Sequence, residues 1–288
     1  MKSFTDKVAA ITGAGSGIGR ALALALAERG CHLALSDVNA QGLERTRQAL
    51  EFFGVRVTTS IVDVANREQM YAWANQVAED HGKVNLIINN AGVAQAGTVE
   101  GSSYEEYVWI TDINWWGVVY GTKAFLPHLK TSGDGHIVNV SSIFGLFAQP
   151  GMSAYNATKF AVRGFTESLR QELDLENCGV SASCVHPGGI KTGIAAHARM
   201  NQSMASITGQ DADDARNRFN DKLLRTTAQK AAKVILRGVQ RNHRRILIGS
   251  DARGIDLMLR LLPVLYQPLV TFGMKLAARF ARQNGSES

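Results

Sequence analysis

Short apolar runs alternate with longer amphipathic stretches along the chain. The runs are VAAIT (8–12), HLALSD (32–37), RVTTSIVD (56–63), NLIIN (85–89), GHIVNVS (135–141), VSASCVHP (180–187) and RRILIG (244–249). Most lack period-two alternation, the pattern of strands covered on both faces. Between them lie helix-length segments such as GRALALALAERG and ANREQMYAWANQVAEDHG. Each ends on glycine, which accepts the left-handed backbone that stops a helix. Repeated strand, helix, strand units predict the α/β class: a doubly wound parallel sheet of about seven strands, with right-handed crossovers and helices on both faces. No Pro/Ser linker or internal repeat divides the chain. The expected organisation is one domain over 1–250 and an apolar, basic helical extension over 251–288.

The first apolar run leads into TGAGSGIG, Thr12 to Gly19, and that turn opens a helical pattern. Strand, glycine turn and helix in this order form the context of a dinucleotide site. Glycine lets the backbone approach a pyrophosphate, and the helix start offers free N–H groups and a positive dipole end. Gly13, Ser16, Gly17, Ile18 and Gly19 are the candidate phosphate cradle. Asp37, at the end of the next strand, stands where an acid would accept hydrogen bonds from the adenosine ribose. A carboxylate there repels a 2′-phosphate, and no Arg or Lys adjoins it or interrupts the glycine turn. The expected cofactor is therefore NAD(H), not NADP(H). The competing reading is that Asp37 only caps the helix beginning near Asn39.

Tyr155 and Lys159, in SAYNATK, share a face at i and i+4 of a helical pattern. A phenol near pKa ~10 is a poor base, but a neighbouring cation favours its phenolate. Such a tyrosine can exchange a proton with an alcohol or a developing alkoxide. VNVSS ends a strand on Ser141 and Ser142, where a hydroxyl could hold the substrate oxygen at the sheet's carboxyl edge.

Composition narrows the alternatives. There are 31 Lys and Arg against 25 Asp and Glu, a net charge of +6, without a basic stripe interleaved with aromatics, so nucleic acid is not an expected partner. Cys31, Cys178 and Cys184 form no CxxC pair and no metal-ligand cluster, which fits reduced thiols. The N-terminal segment runs into the first strand without a signal-like core, and a cytoplasmic location is expected.

TGAGSGIG, NNAG (89–92), VSS, YNATK and HPGGIKT stand in an order that resembles the short-chain dehydrogenase/reductase family, from about Val8 to about Gly249. The resemblance implies a single Rossmann-fold domain and a catalytic set of Asn114, Ser142, Tyr155 and Lys159, with Ser141 a non-catalytic neighbour. It places Asp63 and Val64 at the adenine, and Asn90, Ala91 and Gly92 along the cofactor cleft. Pro187, Gly188, Ile190 and Thr192 would receive the nicotinamide carboxamide. Lys159 would bind the nicotinamide ribose and lower the Tyr155 pKa, while Asn114 helps hold a water in the proton relay. Ser142 and Tyr155 would then hold the hydroxyl of an alcohol as its proton passes to Tyr155 and its hydride to NAD+.

Phe144, Phe147 and Ile194 are candidate walls of the substrate pocket, with plain loop packing as the alternative for the two phenylalanines. Residues 193–227 occupy the place of the family's mobile lid; their middle is polar and acidic, while Ile194, Met200, Met204 and Ile207 could face an apolar ligand. Trp115 and Trp116 fit core or interface packing, and His136 and His186 fit structural roles. The family implies a homodimer or homotetramer built on the helices of Asn114 and Tyr155.

The tail runs uncharged from Leu261 to Met274, too short and too broken by prolines to span a membrane. Arg253, Arg260, Lys275, Arg279 and Arg282 flank that run. An apolar face bordered by cations suits peripheral contact with an anionic membrane; packing on its own subunit or at an oligomer interface is the simpler reading. Functionally, the expectation is an NAD(H)-dependent enzyme acting on a small-molecule alcohol or ketone of apolar, lipid-like character. The alternatives are a non-catalytic NAD(H)-binding regulator and an epimerase or dehydratase on the same scaffold.

Overall fold

The computed structural model of the chain describes residues 1–194, 196–208 and 226–285, with side chains throughout except those of 277 and 279–285. The strands are β1 (Val8–Thr12), β2 (His32–Asp37), β3 (Val57–Ile61), β4 (Leu86–Asn89), β5 (Gln95–Ala96), β6 (Gly135–Val140), β7 (Val180–Pro187), β8 (Ile190–Lys191), β9 (Arg199–Met200), β10 (Thr226–Thr227) and β11 (Arg245–Ile248). Seven of them form one parallel sheet in the order β11-β7-β6-β4-β1-β2-β3. The sheet class and the seven main strands match the sequence expectation. The 56–63 run is trimmed to Val57–Ile61, leaving Asp63 in the turn that follows.

The helices are α1 (Gly17–Ala27), α2 (Ala40–Gln48), α3 (Arg67–His81), α4 (Tyr104–Thr111), α5 (Gly117–Ser132), α6 (Ser153–Glu176), α7 (Met204–Thr208), α8 (Ala228–Gln240), α9 (Ser250–Leu261) and α10 (Tyr266–Gly285). One sheet face presents Ala9, Ile11, Leu33, Leu35 and Ile88 to Leu22 and Leu26 of α1, Leu43 of α2 and Ile235 of α8. The other presents Ala10, Ala34, Ile87 and Ile137 to Trp73 of α3, Phe125 of α5 and Leu169 of α6. Both faces are buried, which is why the strand sequences carry no clean alternation. Helix α3 stops on left-handed Gly82 as expected, whereas α1 ends with Glu28 as its C-cap and Gly30 follows.

Two features position the site. Chain connection reverses direction across β1, which lies between β2 and β4, so a crevice opens at the carboxyl ends of β1 and β4. A third apolar cluster covers that end of the molecule. There, Ala252, Ile255, Met258 and Leu259 of α9 and Tyr266 and Val270 of α10 pack with Ile143, Phe144, Phe147 and Tyr155. The inner face of the C-terminal helices is thus joined to the body of the same chain. Trp115 sits edge-on to Phe165 of α6 at 5.4 Å, in the packing role expected of it, and Trp116 stacks on Tyr120 at 5.6 Å.

Candidate active site

The glycine turn is shaped by contacts that leave no room for side chains. Gly13 is left-handed at φ 65°, and a Cβ there would lie 2.9 Å from Ala91 Cα. A Cβ on Gly19 would lie 2.1 Å from the Gly13 carbonyl oxygen, so this glycine lets α1 begin directly against the turn. Thr12 and Asn90 pin the turn to the end of β4: the Asn90 side-chain amide donates to Thr12 O at 2.9 Å and to Gly13 O at 3.2 Å. Thr12 Oγ1 accepts from the amides of Asn90 and Ala91, each at 3.0 Å. Ser16, the N-cap of α1, makes no side-chain cap, and no acid occupies the first turn. Helices α2, α3, α4 and α8 instead start on side-chain caps from Asn39, Asn66, Ser103 and Thr227. The N-terminal amides of α1 thus have no side-chain cap, as is also true of α6 and α9.

Asp37 stands beside this turn. Its Oδ2 accepts from Gly15 N at 2.8 Å and its Oδ1 from Asn39 N at 2.9 Å. The cap of α2 is Asn39, which accepts from Gly42 N at 2.9 Å; Asp37 is not the capping residue. The structure brings Arg20 closer than its sequence position indicates. Its guanidinium donates to the Gly15 carbonyl, to Gly42 O at 3.1 Å and to Thr46 Oγ1 at 2.9 Å, tying the turn to α2. Asp63 lies exposed past β3, accepting from Ala65 N at 3.0 Å, and Val64 is buried against Gly117.

Asn114, Ser142, Tyr155 and Lys159 are all buried at the carboxyl edge of β4 and β6. Asn114 lies in a π-helical turn, Asp112–Trp116, between α4 and α5. Its side chain accepts from Val93 N at 2.8 Å and donates to Val93 O at 2.9 Å, clamping the chain after NNAG. Gly92 fits between two of these residues: a Cβ on it would lie 3.1 Å from Asn114 Oδ1 and 3.4 Å from Lys159 Nζ. The Lys159 ammonium donates to Val140 O at 3.1 Å and lies 5.7 Å from the Tyr155 ring centre. Ser141 Oγ donates to Lys159 O at 2.8 Å, a structural tie that sets it apart from Ser142.

The electrostatics correct one expectation. Burial pushes the Tyr155 phenol above its ordinary range, and a hydrogen bond with Ser142 offsets part of that rise. Burial also holds Lys159 down to about 8. Desolvation, which penalises the charged form of each group, dominates both shifts, and the lowering of the Tyr155 pKa expected from Lys159 is not among the causes acting on the phenol.

The HPGGIKT loop is held by a residue that sequence reasoning missed. Asp251, in the first turn of α9, accepts from Gly189 N at 2.7 Å, and a Cβ on Gly188 would collide with its carboxylate. Ile190 pairs with Thr226 beside the loop, and Thr192 approaches Gly17, where a Cβ would lie 3.2 Å away. Pro187 closes β7 opposite Ile248. A second missed group is the buried ladder in which Asn89 donates to Asn139 at 2.8 Å and Asn139 to Thr166 at 3.1 Å, joining β4, β6 and α6. Its only sequence signal is polar residues inside apolar runs.

Phe144 and Phe147 are buried, 5.2 Å apart, with Phe144 edge-on to Tyr155 and Phe147 edge-on to Tyr266. Ile194 is exposed. Of the lid, β9 pairs with β5, Arg199 lies over the Trp109 ring at 3.5 Å, and Met204 is buried against Gly151. The polar, acidic middle of the lid at 209–225 lies outside the described residues.

Residues 7–203 match the family described as short chain dehydrogenase. The chain is 48% identical over 274 residues to SadH of Mycobacterium tuberculosis, covering 95% of this chain and 97% of that one. It is 37% identical over 194 residues to human estradiol 17-beta-dehydrogenase 11, covering 67% and 65%. A short chain dehydrogenase/reductase from Burkholderia phymatum, solved in complex with NAD, superposes with a TM-score of 0.84 at 32% identity, covering 93% of this chain and 97% of that one. Levodione reductase superposes at 0.75 with 28% identity, covering 88% and 98%. Matching a family profile across most of its length and a relative across nearly all of it, the chain belongs to the short chain dehydrogenase family.

Proposed function

We propose that the protein is an NAD(H)-dependent oxidoreductase that interconverts an apolar secondary alcohol and its ketone, or a primary alcohol and its aldehyde. The observation that carries this reading is the convergence of Asn114, Ser142, Tyr155 and Lys159 at the sheet edge beside the Gly13 turn. The residues present fit a dinucleotide. The uncapped start of α1 with Gly13, Ser16, Gly17, Ile18 and Gly19 would hold the pyrophosphate, and Asp37 the adenosine ribose. Asp63 and Val64 would flank the adenine, with Asn90, Ala91 and Gly92 lining the cleft. Pro187, Gly188, Ile190 and Thr192 would hold the carboxamide, and Lys159 the second ribose. NAD(H), when bound, supplies hydride acceptance in one direction and hydride donation in the other.

The remaining chemistry belongs to this chain. Ser142 and Tyr155 hold the substrate oxygen, and Tyr155 takes the proton of an alcohol or returns it to a developing alkoxide. Burial keeps the phenol protonated at neutral pH and poises it as a donor. Lys159 steadies the negative charge as that proton leaves. The apolar wall of Phe144, Phe147 and Tyr266 beside Tyr155 supports a bulky, apolar substrate. The name of the human relative, an estradiol dehydrogenase, agrees with that class.

Residues 1–250 serve as the dinucleotide-binding and catalytic unit, 193–227 as its lid and 251–288 as its extension. Exposed Trp116 and Phe160, near Asn114 and on α6, support a homodimer or homotetramer closed through those helices.

The test is the initial rate of NADH and NADPH oxidation against ketones graded from short aliphatic to polycyclic. Efficiency should rise with apolar size, and with NADH alone. Tyr155→Phe should lower turnover by about 10²–10⁴-fold with NADH affinity unchanged. Silence across the series would overturn the reading in favour of a nucleotide-binding regulator, and a Tyr155→Phe enzyme as fast as the wild type would remove Tyr155 from the proton step.

A further inference from the structure

The C-terminal helices have two unlike faces. Their inner face packs on the cluster around Phe144, Phe147 and Tyr155. Their outer face and the turn between them carry Leu257, Leu261, Val264, Leu265, Leu269, Phe272 and Leu276, all exposed; Leu261 is 70%, Leu265 62% and Phe272 68% accessible. At 100° per residue, Leu269, Phe272 and Leu276 fall within an arc of roughly 60° on α10, so they form one stripe. Leu265 precedes them by one turn, and Leu257 and Leu261 lie one turn apart on α9. Single exposed leucines need no explanation, but a continuous apolar stripe does.

The charge around the stripe has one sign. From Leu257 to Gly285 the sequence holds Arg260, Lys275, Arg279 and Arg282 and no acidic residue. Of the two nearest acids on α9, Asp251 accepts from Gly189 N, and Asp256 is shared between Arg245 at 2.8 Å and Arg260, one of these four cations, at 2.9 Å. No described helix is long and apolar enough to cross a membrane. An apolar stripe in a stretch of sequence whose charged residues, from Leu257 to Gly285, are all cations complements a surface of anionic headgroups over acyl chains.

We propose that the outer face of α9 and α10 is a docking surface for an anionic lipid bilayer. Apolar side chains from Leu257 to Leu276 enter the headgroup boundary while the flanking cations meet lipid phosphates. The same two helices wall the aromatic cluster at Tyr155, so a bilayer seated there lies against the substrate end of the molecule. The docking surface stands apart from the proposed reaction, because its readout is lipid binding.

The experiment is flotation of the full chain with vesicles of phosphatidylcholine alone and of phosphatidylcholine mixed with phosphatidylglycerol, at low and high salt. Sedimentation without lipid runs in parallel. The protein should float with the anionic vesicles, and high salt should weaken binding about tenfold. The exposed double variant Leu265→Glu, Phe272→Glu should lose flotation while keeping its oligomeric state and NADH binding, and Lys275→Glu should weaken flotation alone. Absence of flotation with anionic vesicles overturns the proposal, as does equal, salt-insensitive binding to neutral ones. A wild type that does not float and an oligomer that the double variant dissociates would identify the face as an interface between two copies of the chain.

Discussion

At Lys159, function and stability pull in opposite directions. Its ammonium is fully enclosed, donates to Val140 O, and is held down to about 8 by burial. Because the folded pKa lies below the unfolded value of ~10.4, the unfolded chain keeps its proton more readily. The resulting cost, about 3 kcal/mol, is fully present below pH 8 and is relieved as pH rises from about 8 toward 10.4. A methionine would fill much of the same volume without a charge. Lys159→Met should therefore raise unfolding free energy at pH 7 by on the order of 1–3 kcal/mol while turnover is lost. Urea unfolding of both proteins between pH 7 and 10 checks this, since the gap should close above pH 8. A variant less stable than wild type at pH 7 would mean that the Val140 hydrogen bond outweighs desolvation.

At the scale of elements, the site depends on junctions, and these differ in how plainly they are written. Strand, glycine turn and helix are legible in TGAGSGIG because Gly13 and Gly19 answer local steric demands that recur wherever a helix starts against a strand end. The i and i+4 placement of Tyr155 and Lys159 is legible for the same reason: helical spacing fixes it. The π-helical turn that holds Asn114 is not, because apolar spacing through DINWW reads as uninterrupted helix. Nor is the tie from Asp251 to the HPGG loop, which spans 62 residues of sequence and exists only once β11 lies beside β7. That tie can be tested. Asp251→Ala removes the acceptor for Gly189 N, a bond to a charged group worth about 1.5–3 kcal/mol. NADH should then bind about tenfold more weakly by fluorescence titration, as expected for a loss of about 1.4 kcal/mol. Unchanged affinity would show that the loop holds its shape without α9.

The sheet as a whole carries a pH dependence. His136 on β6 and His186 on β7 are fully buried in neighbouring central strands. Ser183 Oγ donates to His243 O, so His136 Nε2 must donate to Ser183 at 2.8 Å, and its Nδ1 is left bare. His186 Nδ1 donates to the Ser142 carbonyl at 3.0 Å, and its Nε2 is likewise bare and without a described partner. A second proton on either ring would create a buried cation with an unpaired N–H. Burial accordingly lowers His136 to about 3 and His186 to about 4. Unfolded histidine titrates near ~6.5, so below that pH the unfolded chain takes up protons that the sheet refuses. Stability is fully present above pH 6.5 and falls with pH, by about 2 kcal/mol per histidine between pH 7 and pH 5. Half-buried His81 is shifted in the same direction, whereas the shifted carboxylates act below their ordinary range near ~4, outside this window. A loss of about 4 kcal/mol from the pair is a large part of the 5–15 kcal/mol that holds a typical domain together. Urea unfolding at pH 7 and pH 5 should show it. His136→Gln keeps a donor for Ser183 but cannot titrate, and should shrink the difference between the two pH values by about 2 kcal/mol. If that difference is the same in wild type and variant, the protons are being taken up elsewhere, and the central strands do not set the acid limit of the fold.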